Sequence, residues 1–311
     1  MYSTLVTDIP SAGFKGRGAL SNPHNRFDRQ RSESVDDGWY RDEPESSIAT
    51  TLSPDTTRSI IARNDSPDIP FEQSINPYRG CEHGCVFCYA RPTHAYLGFS
   101  PGVDFETRLM FKADAATLLR KELARTGYRC RHIMLGANTD PYQPVERRLG
   151  VTRAILEVLA ETRHPVAITT RSALVERDID LLAGMARDGL ASVFLSITTF
   201  DPVLKRRLEP RSASSPARLA AMRALADAGI PVGVMAAPMI PAVNDAELEE
   251  ILERSQQAGA SRAGYTLLRL PHEVKDLFRE WLEIHVPQRA EHVMSLIRQM
   301  RGGKENDARF G

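Results

Sequence analysis

From residue 71 onward, short apolar runs alternate with amphipathic stretches of helical length, and this alternation restricts the fold more than any other feature of the chain. Strands separated by connections of that length cannot form hairpins. They pair in parallel through right-handed crossovers, which buries one sheet behind a layer of helices. About six units can be read, with strands near residues 75–78, 132–136, 166–171, 192–201, 232–238 and 263–271. Helices are predicted over 113–125, 151–161, 178–187, 217–228 and 246–257, and the remainder is predicted helical to about Met300. Such a series predicts an α/β fold, a partial parallel (β/α)6 barrel of the TIM type, in which the loops after the strands share one face and carry the site. The polar segments 138–142, 171–172, 196–201 and 238–244 would all meet there.

The first of these post-strand loops holds three of the four cysteines, Cys81, Cys85 and Cys88, in the pattern C-x₃-C-x₂-C. Three thiolates can hold a [4Fe–4S] cluster by three irons and leave the fourth open to a substrate or cofactor. Zinc held by these thiolates with His83, His94 or Cys130 is the alternative, although structural zinc sites usually present two short ligand pairs across a longer loop. A disulfide would leave one cysteine of the triplet over. Glycines at 80 and 84 suit a backbone wrapped around a bulky group, where positive φ or close approach is needed.

Residues 1–70 are rich in Asp, Glu, Arg, Ser and Pro and lack sustained apolar periodicity, so they are predicted to form an extended, partly disordered arm. Within it the Gly/Asn/Arg patch from Gly16 to Phe27 reads as a surface arm packed on the barrel, or as a substrate contact. The barrel core is assigned to 71–285 and a C-terminal helical extension to 286–311. Forty basic and forty acidic residues give a formal charge of zero, which argues against wholesale polyanion binding and leaves room for a local basic patch. Arg147-Arg148 and the segment from Lys205 to Arg211 are candidates for phosphate contact, or are solvated surface in which Glu209 pairs with an arginine. The start of the sequence lacks a basic segment followed by an apolar core, and no apolar run reaches the ~20 residues needed to span a bilayer. Neither signal peptide nor membrane helix is expected, and the few, clustered cysteines predict a reducing, cytoplasmic setting.

A C-x₃-C-x-aromatic-C loop after the first strand of a repeated β/α chain, with Phe87 at the aromatic position, resembles the radical S-adenosylmethionine (radical SAM) superfamily. Within it the chain is similar to the spore photoproduct lyase-like subgroup. The likeness rests on Cys88-Tyr89, Ile168-Thr-Thr-Arg171, Leu195-Ser-Ile197, Leu208-Glu-Pro-Arg-Ser212 and the run from Ala228 to Ile240, in the same order over roughly residues 75–245. The resemblance implies that Cys81, Cys85 and Cys88 bind the [4Fe–4S] cluster and that S-adenosyl-L-methionine chelates the remaining iron. Reductive cleavage of the cofactor would release methionine and a 5′-deoxyadenosyl radical, with the electron supplied by an external flavodoxin- or ferredoxin-type donor.

The resemblance also implies cofactor-binding positions. Phe87 would lie beside the adenine, Tyr89 near the cofactor, Arg171 on the methionine carboxylate, Ser196 on the ribose or methionine moiety, and Asn138 and Asp140 near the methionyl amine. From the residues alone, Phe87 and Tyr89 also read as loop packing, Arg171 as a rim ion pair, and Asn138 to Asp140 as turn chemistry. One position departs from the lyase pattern. Where the lyases have a hydrogen-donating cysteine at the end of the second strand, this chain has Asn138, and Cys130 precedes that strand. Tyr89 is then the candidate hydrogen donor, or the substrate differs. The function expected is a radical SAM enzyme of unspecified substrate, with nucleic acid a candidate; the alternative is a non-catalytic iron–sulfur protein that senses iron or redox state or carries electrons.

Overall fold

The computed structural model describes residues 14–28, 48–66 and 69–307. Its strands are β1 (Thr51–Pro54), β2 (Ile61–Arg63), β3 (Gln73–Ile75), β4 (Tyr78–Arg79), β5 (Arg108–Phe111), β6 (Ile133–Leu135), β7 (Val166–Thr170), β8 (Ala191–Ser196), β9 (Val232–Met239) and β10 (Arg262–Leu267). Helices are α1 (Asp104–Thr107), α2 (Ala115–Leu123), α3 (Glu146–Leu149), α4 (Val151–Glu161), α5 (Ile179–Arg187), α6 (Pro202–Leu208), α7 (Ser215–Asp227), α8 (Leu248–Gln257), α9 (Val274–His285) and α10 (Ala290–Met300).

The main sheet has the order β10-β9-β8-β7-β6-β3-β2. Its six core strands, β3 and β6 to β10, run parallel, and β2 closes one edge antiparallel to β3. This is the expected partial barrel. Ile133, Leu135, Val166, Ile168, Val193, Leu195, Val232 and Val234 are buried, as strands covered by crossover helices require. Helix α4 answers them with Ile155, Leu156 and Leu159, and α7 with Met222 and Leu225, all fully buried. At about 1.5–3 kcal/mol per buried aliphatic side chain, this layer of contacts dominates the fold's stability.

Several boundaries differ from expectation for local reasons. The first strand stops at Ile75 because Pro77 has no N–H for the ladder. The chain turns instead, and Tyr78–Arg79 pairs antiparallel with β5 in a separate three-stranded sheet. The fourth strand ends at Ser196, and Asp201 caps α6 by accepting from the Val203 N–H at 2.7 Å, ahead of Pro202 at the first helical turn. Strand β10 is the open edge of the sheet, and its Tyr265 and Leu267 are exposed.

The N-terminal stretch is more ordered than predicted where it is described. Residues 51–54 pair with β5, residues 61–63 pair with β3, and Arg17 to Leu20 are buried. The predicted extended character of residues 1–13 and 29–47 lies outside the described residues. At the other end, Val274, Phe278 and Trp281 of α9 and Val293 and Ile297 of α10 join Leu20, Val86, Phe87 and Leu208 in a second apolar cluster. The C-terminal helices therefore pack directly behind the cysteine loop. No helix among the described residues is long and apolar enough to cross a membrane.

Candidate active site

The cysteine loop is tied down at each ligand position. The Cys81 N–H donates to the Phe105 carbonyl at 2.9 Å and the Val86 N–H to the Leu208 carbonyl at 3.0 Å. The Cys88 N–H donates to the Cys85 carbonyl at 3.2 Å, and Arg91 Nε donates to that same carbonyl at 2.9 Å. Gln143 spans the loop's start, accepting from the Glu82 N–H at 2.9 Å and donating to the Gly80 carbonyl at 3.2 Å. Gly80 and Gly84 have φ of +76° and +68°, and a Cβ at Gly84 would lie 2.7 Å from Glu106 Oε2. Only glycine fits both demands.

Cys81 and Cys85 are buried and Cys88 is partly buried. Burial pushes all three thiols above their ordinary pKa; at Cys81 the neighbouring Asp140, Cys85 and Cys88 push further. A cationic centre reverses that preference and takes the sulfurs as thiolates. Three sulfurs on one rigid loop, each held by backbone bonds, fit a cluster that meets every thiolate at a separate iron. Among the described residues no three His, Cys, Asp or Glu side chains converge on a single ion. Of the zinc candidates, His83 lies within the loop, 3.3 Å from Asp140, and the other two are placed elsewhere or otherwise engaged. His94 packs on Phe99 and Phe105, binds the Arg108 carbonyl at 2.9 Å, and is pushed down to about 4 by burial. Cys130 is exposed and precedes β6, beside Arg129, whose carbonyl accepts from Gln73 at the N-terminal end of β3; it sits at the far end of the sheet.

Around this loop the ends of β6, β7, β8 and β9 supply a polar network. Asp140 accepts from the Arg171 N–H at 2.7 Å, the Thr170 hydroxyl at 2.7 Å and the Tyr142 N–H at 2.8 Å, and lies 3.3 Å from His83 Nδ1. Burial disfavours its charge, but His83, the Arg171 amide and Thr170 outweigh burial and hold the carboxyl below its usual range. Arg171 donates to Thr198 Oγ1 at 2.9 Å, Glu209 Oε2 at 3.0 Å and the Ala237 carbonyl at 2.8 Å, and its guanidinium lies 5.2 Å from the centre of the Phe87 ring. Burial works against its charge; Glu209, the thiols of Cys85 and Cys88, and Asp140 together raise its pKa.

Glu209 is fully buried and bridges Arg171 to the equally buried Arg218, whose Nη2 lies 2.5 Å from Glu209 Oε1. The network thus contains the predicted Glu209–arginine pair. In the segment around it, Lys205 is buried and donates to the Ser212 carbonyl, whereas Arg206, Arg207 and Arg211 are exposed as solvated surface would have them, Arg211 pairing with Glu82 at 3.2 Å.

Tyr89 is 42% exposed, and its hydroxyl donates to the Ala137 carbonyl, next to Asn138. Surrounding atoms and the nearby Cys88 push the phenol up to about 12, against Arg171 and Arg269, so it is neutral at physiological pH. The Asn138 N–H donates to Asn76 Oδ1 at 2.9 Å. Ser196 sits at the end of β8, buried, where its carbonyl accepts from Arg218 Nη1 at 2.6 Å. The structure therefore brings Phe87, Tyr89, Arg171 and Asp140 to the cysteine loop and places Asn138 beside Tyr89. Sequence reasoning missed Arg91, Glu106 and Arg218, buried charges whose ionic partners lie 15 residues away for the Arg91–Glu106 pair and 9 for Arg218 and Glu209. The one available signal was Glu209 within the Leu208-to-Ser212 motif.

A sequence profile of the radical SAM superfamily matches residues 75–254. An uncharacterized protein of Mycobacterium tuberculosis is 37% identical over 233 residues, covering 74% of this chain and 68% of that protein. An uncharacterized protein of Methanocaldococcus jannaschii is 30% identical over 173 residues, covering 56% of this chain and 62% of that one. Among solved structures, a spore photoproduct lyase variant superposes with a TM-score of 0.54 at 20% identity, covering 76% of this chain and 66% of the lyase. A second, with bound AdoMet and dinucleoside spore photoproduct, gives 0.54 at 19% identity over 74% and 65%. The chain spans about two thirds of the lyase's length, and the likeness shows the shared fold. The chain belongs to the radical SAM superfamily. Its cofactors are accordingly a [4Fe–4S] cluster and S-adenosyl-L-methionine, and its chemistry is radical chemistry.

Proposed function

We propose that this protein is an enzyme that reductively cleaves S-adenosyl-L-methionine to a 5′-deoxyadenosyl radical and uses it to take a hydrogen atom from a separate substrate. The carrying observation is that Arg171, Phe87, Tyr89 and Asp140 gather on the cysteine loop at one end of the parallel strands. A protein that only carries or senses electrons has no need of a carboxylate-binding arginine beside its cluster.

In this reading Cys81, Cys85 and Cys88 hold the cluster, which supplies the electron for cleavage of the sulfonium bond once an external flavodoxin- or ferredoxin-type donor has reduced it. Arg171 offers a fixed cation to the methionine carboxylate. Its orientation comes from Glu209, Thr198 and the Ala237 carbonyl. Asp140 holds the Arg171 backbone and the Tyr142 turn in register, and thereby fixes the loop that carries Asn138. Phe87 presents an apolar face to the adenine, and Ser196 lies at the ribose or methionine side. Tyr89, neutral and beside Asn138, is the group placed to return a hydrogen atom, since Asn138 itself has no transferable one.

The substrate reading follows the fold neighbour with bound dinucleoside spore photoproduct: a nucleic acid or a fragment of one is the first class to test. Anaerobic reconstitution with iron and sulfide, reduction with dithionite and assay for 5′-deoxyadenosine test the proposal. An intact reduced cluster that forms no product, and whose spectrum does not change when S-adenosyl-L-methionine is added, would leave the non-catalytic iron–sulfur reading instead.

A further inference from the structure

We propose that Arg17 to Leu20 form a cover over the back of the cysteine loop, and that Glu106 is the positioning residue that couples this cover to the cluster ligands. The inference rests on the cluster reading of Cys81, Cys85 and Cys88. The segment comes from a part of the chain more than sixty residues away from the loop it covers.

Two carboxylate oxygens of Glu106 divide the work. Oε2 accepts from the Gly18 N–H at 3.0 Å and Oε1 from the Ala19 N–H at 2.8 Å. Oε1 also accepts from Arg91 Nη2 at 2.5 Å, while the same guanidinium reaches the Cys85 carbonyl through Nε at 2.9 Å and the Gly102 carbonyl through Nη1 at 2.9 Å. Glu106 and Arg91 are fully buried. One continuous chain of charge-assisted bonds therefore runs from the cover to the backbone of a cluster ligand, and such bonds are the strong ones in a dry interior.

The cover fits closely. A Cβ at Gly18 would stand 1.7 Å from the Gly84 carbonyl oxygen, in the middle of the cysteine loop. Ala19 is wholly buried, and Leu20 packs in the apolar cluster that contains Cys85, Val86 and Phe87. Arg17 bolts the segment down from outside, donating to the Glu106 carbonyl at 2.9 Å, the Ile48 carbonyl at 2.6 Å and Thr50 Oγ1 at 3.0 Å. Ser21 extends the same line to α9 through Glu280 at 2.8 Å. Water reaching the sulfurs from this side must first displace Gly18 to Leu20.

The test uses the full chain, anaerobically reconstituted, with the variants Gly18→Ala and Arg17→Gln. Amide exchange at residues 17–20, release of iron to a ferrous chelator, and the cluster's midpoint potential are measured in each. Loss of even one charge-assisted bond raises the open population by about ten-fold, so exchange and iron release should both quicken by about that factor. The midpoint potential should rise, because water favours the more negative, reduced cluster. Iron bound immediately after reconstitution should match the parent. If the cover opens by amide exchange while iron release and potential stay at parental values, the proposal is wrong. Continued protection of residues 17–20 in both variants would also overturn it, since the close approach at Gly18 would then not hold the segment. A parent chain that takes up no cluster contradicts the cluster reading instead.

Discussion

Replacing Glu209 by glutamine keeps the side chain's shape and removes the charge that joins Arg171 to Arg218. Arg218 is fully buried, so its guanidinium would be left with the Ser196 carbonyl at 2.6 Å, Ser212 Oγ at 2.6 Å and the Ala213 carbonyl at 2.7 Å, all neutral. Removing one partner of a buried pair typically costs 3–5 kcal/mol because the other charge stays uncompensated. The neutral acceptors that remain, and the retained bonds from Arg171 to Thr198 and Ala237, place the expected loss near the lower end, about 3 kcal/mol. Urea unfolding of the cluster-free chain measures it. The midpoint should fall while the m-value is unchanged, because the surface exposed on unfolding is the same. As a control, Glu250→Gln removes the same kind of partner from an exposed pair, that with Arg254 at 2.8 Å, and should cost under about 0.5 kcal/mol. A loss at Glu209→Gln no larger than that control would refute the reasoning.

Three further outcomes follow from the site. Cys81→Ala, Cys85→Ala and Cys88→Ala should each abolish stable cluster binding, and Cys130→Ala should leave iron and sulfide per chain unchanged. Arg171→Gln should weaken S-adenosyl-L-methionine binding by about ten-fold or more, the worth of a lost charge-assisted bond, whereas Tyr89→Phe should bind it as the parent does; equilibrium binding to the reconstituted protein distinguishes the two. His94 stays neutral in the fold down to about 4, against an ordinary value of 6.5, so the unfolded chain binds the proton first. Stability should therefore fall by about 3 kcal/mol as pH drops from 6.5 to 4. Denaturation midpoints across that window should show the loss in the parent and a flatter profile in His94→Gln.

The β/α alternation was legible because each buried strand is a run of apolar residues and each helix repeats its apolar face every three to four residues. Helix α4 falls at the predicted limits, 151–161, because an apolar stripe at Val151, Ile155, Leu156 and Leu159 defines it locally. The cysteine triplet was legible because its spacing is itself the chemistry. Strand β5 and its pairing with residues 51–54 left no such mark, since a short strand pairing across more than fifty residues has no periodicity to read. Glu106, Arg91 and Arg218 were invisible for a related reason: a buried charge looks like a surface charge until its partner is located. Within residues 1–70 the Gly16-to-Phe27 patch reads as an arm packed on the barrel, but composition does not show what buries Arg17 to Leu20: the Gly18 and Ala19 N–H groups bond Glu106, the Arg17 guanidinium bonds the Glu106 carbonyl, and Leu20 joins the apolar cluster.

The most direct test of the central claim is electron paramagnetic resonance of the reduced cluster with S-adenosyl-L-methionine carrying a magnetic nucleus in its amino or carboxylate group. The account predicts that the cofactor changes the signal and that the label couples to the cluster, with both effects lost in Cys81→Ala. A reduced cluster whose spectrum is identical with and without the cofactor, and which shows no coupling to the label, would contradict it.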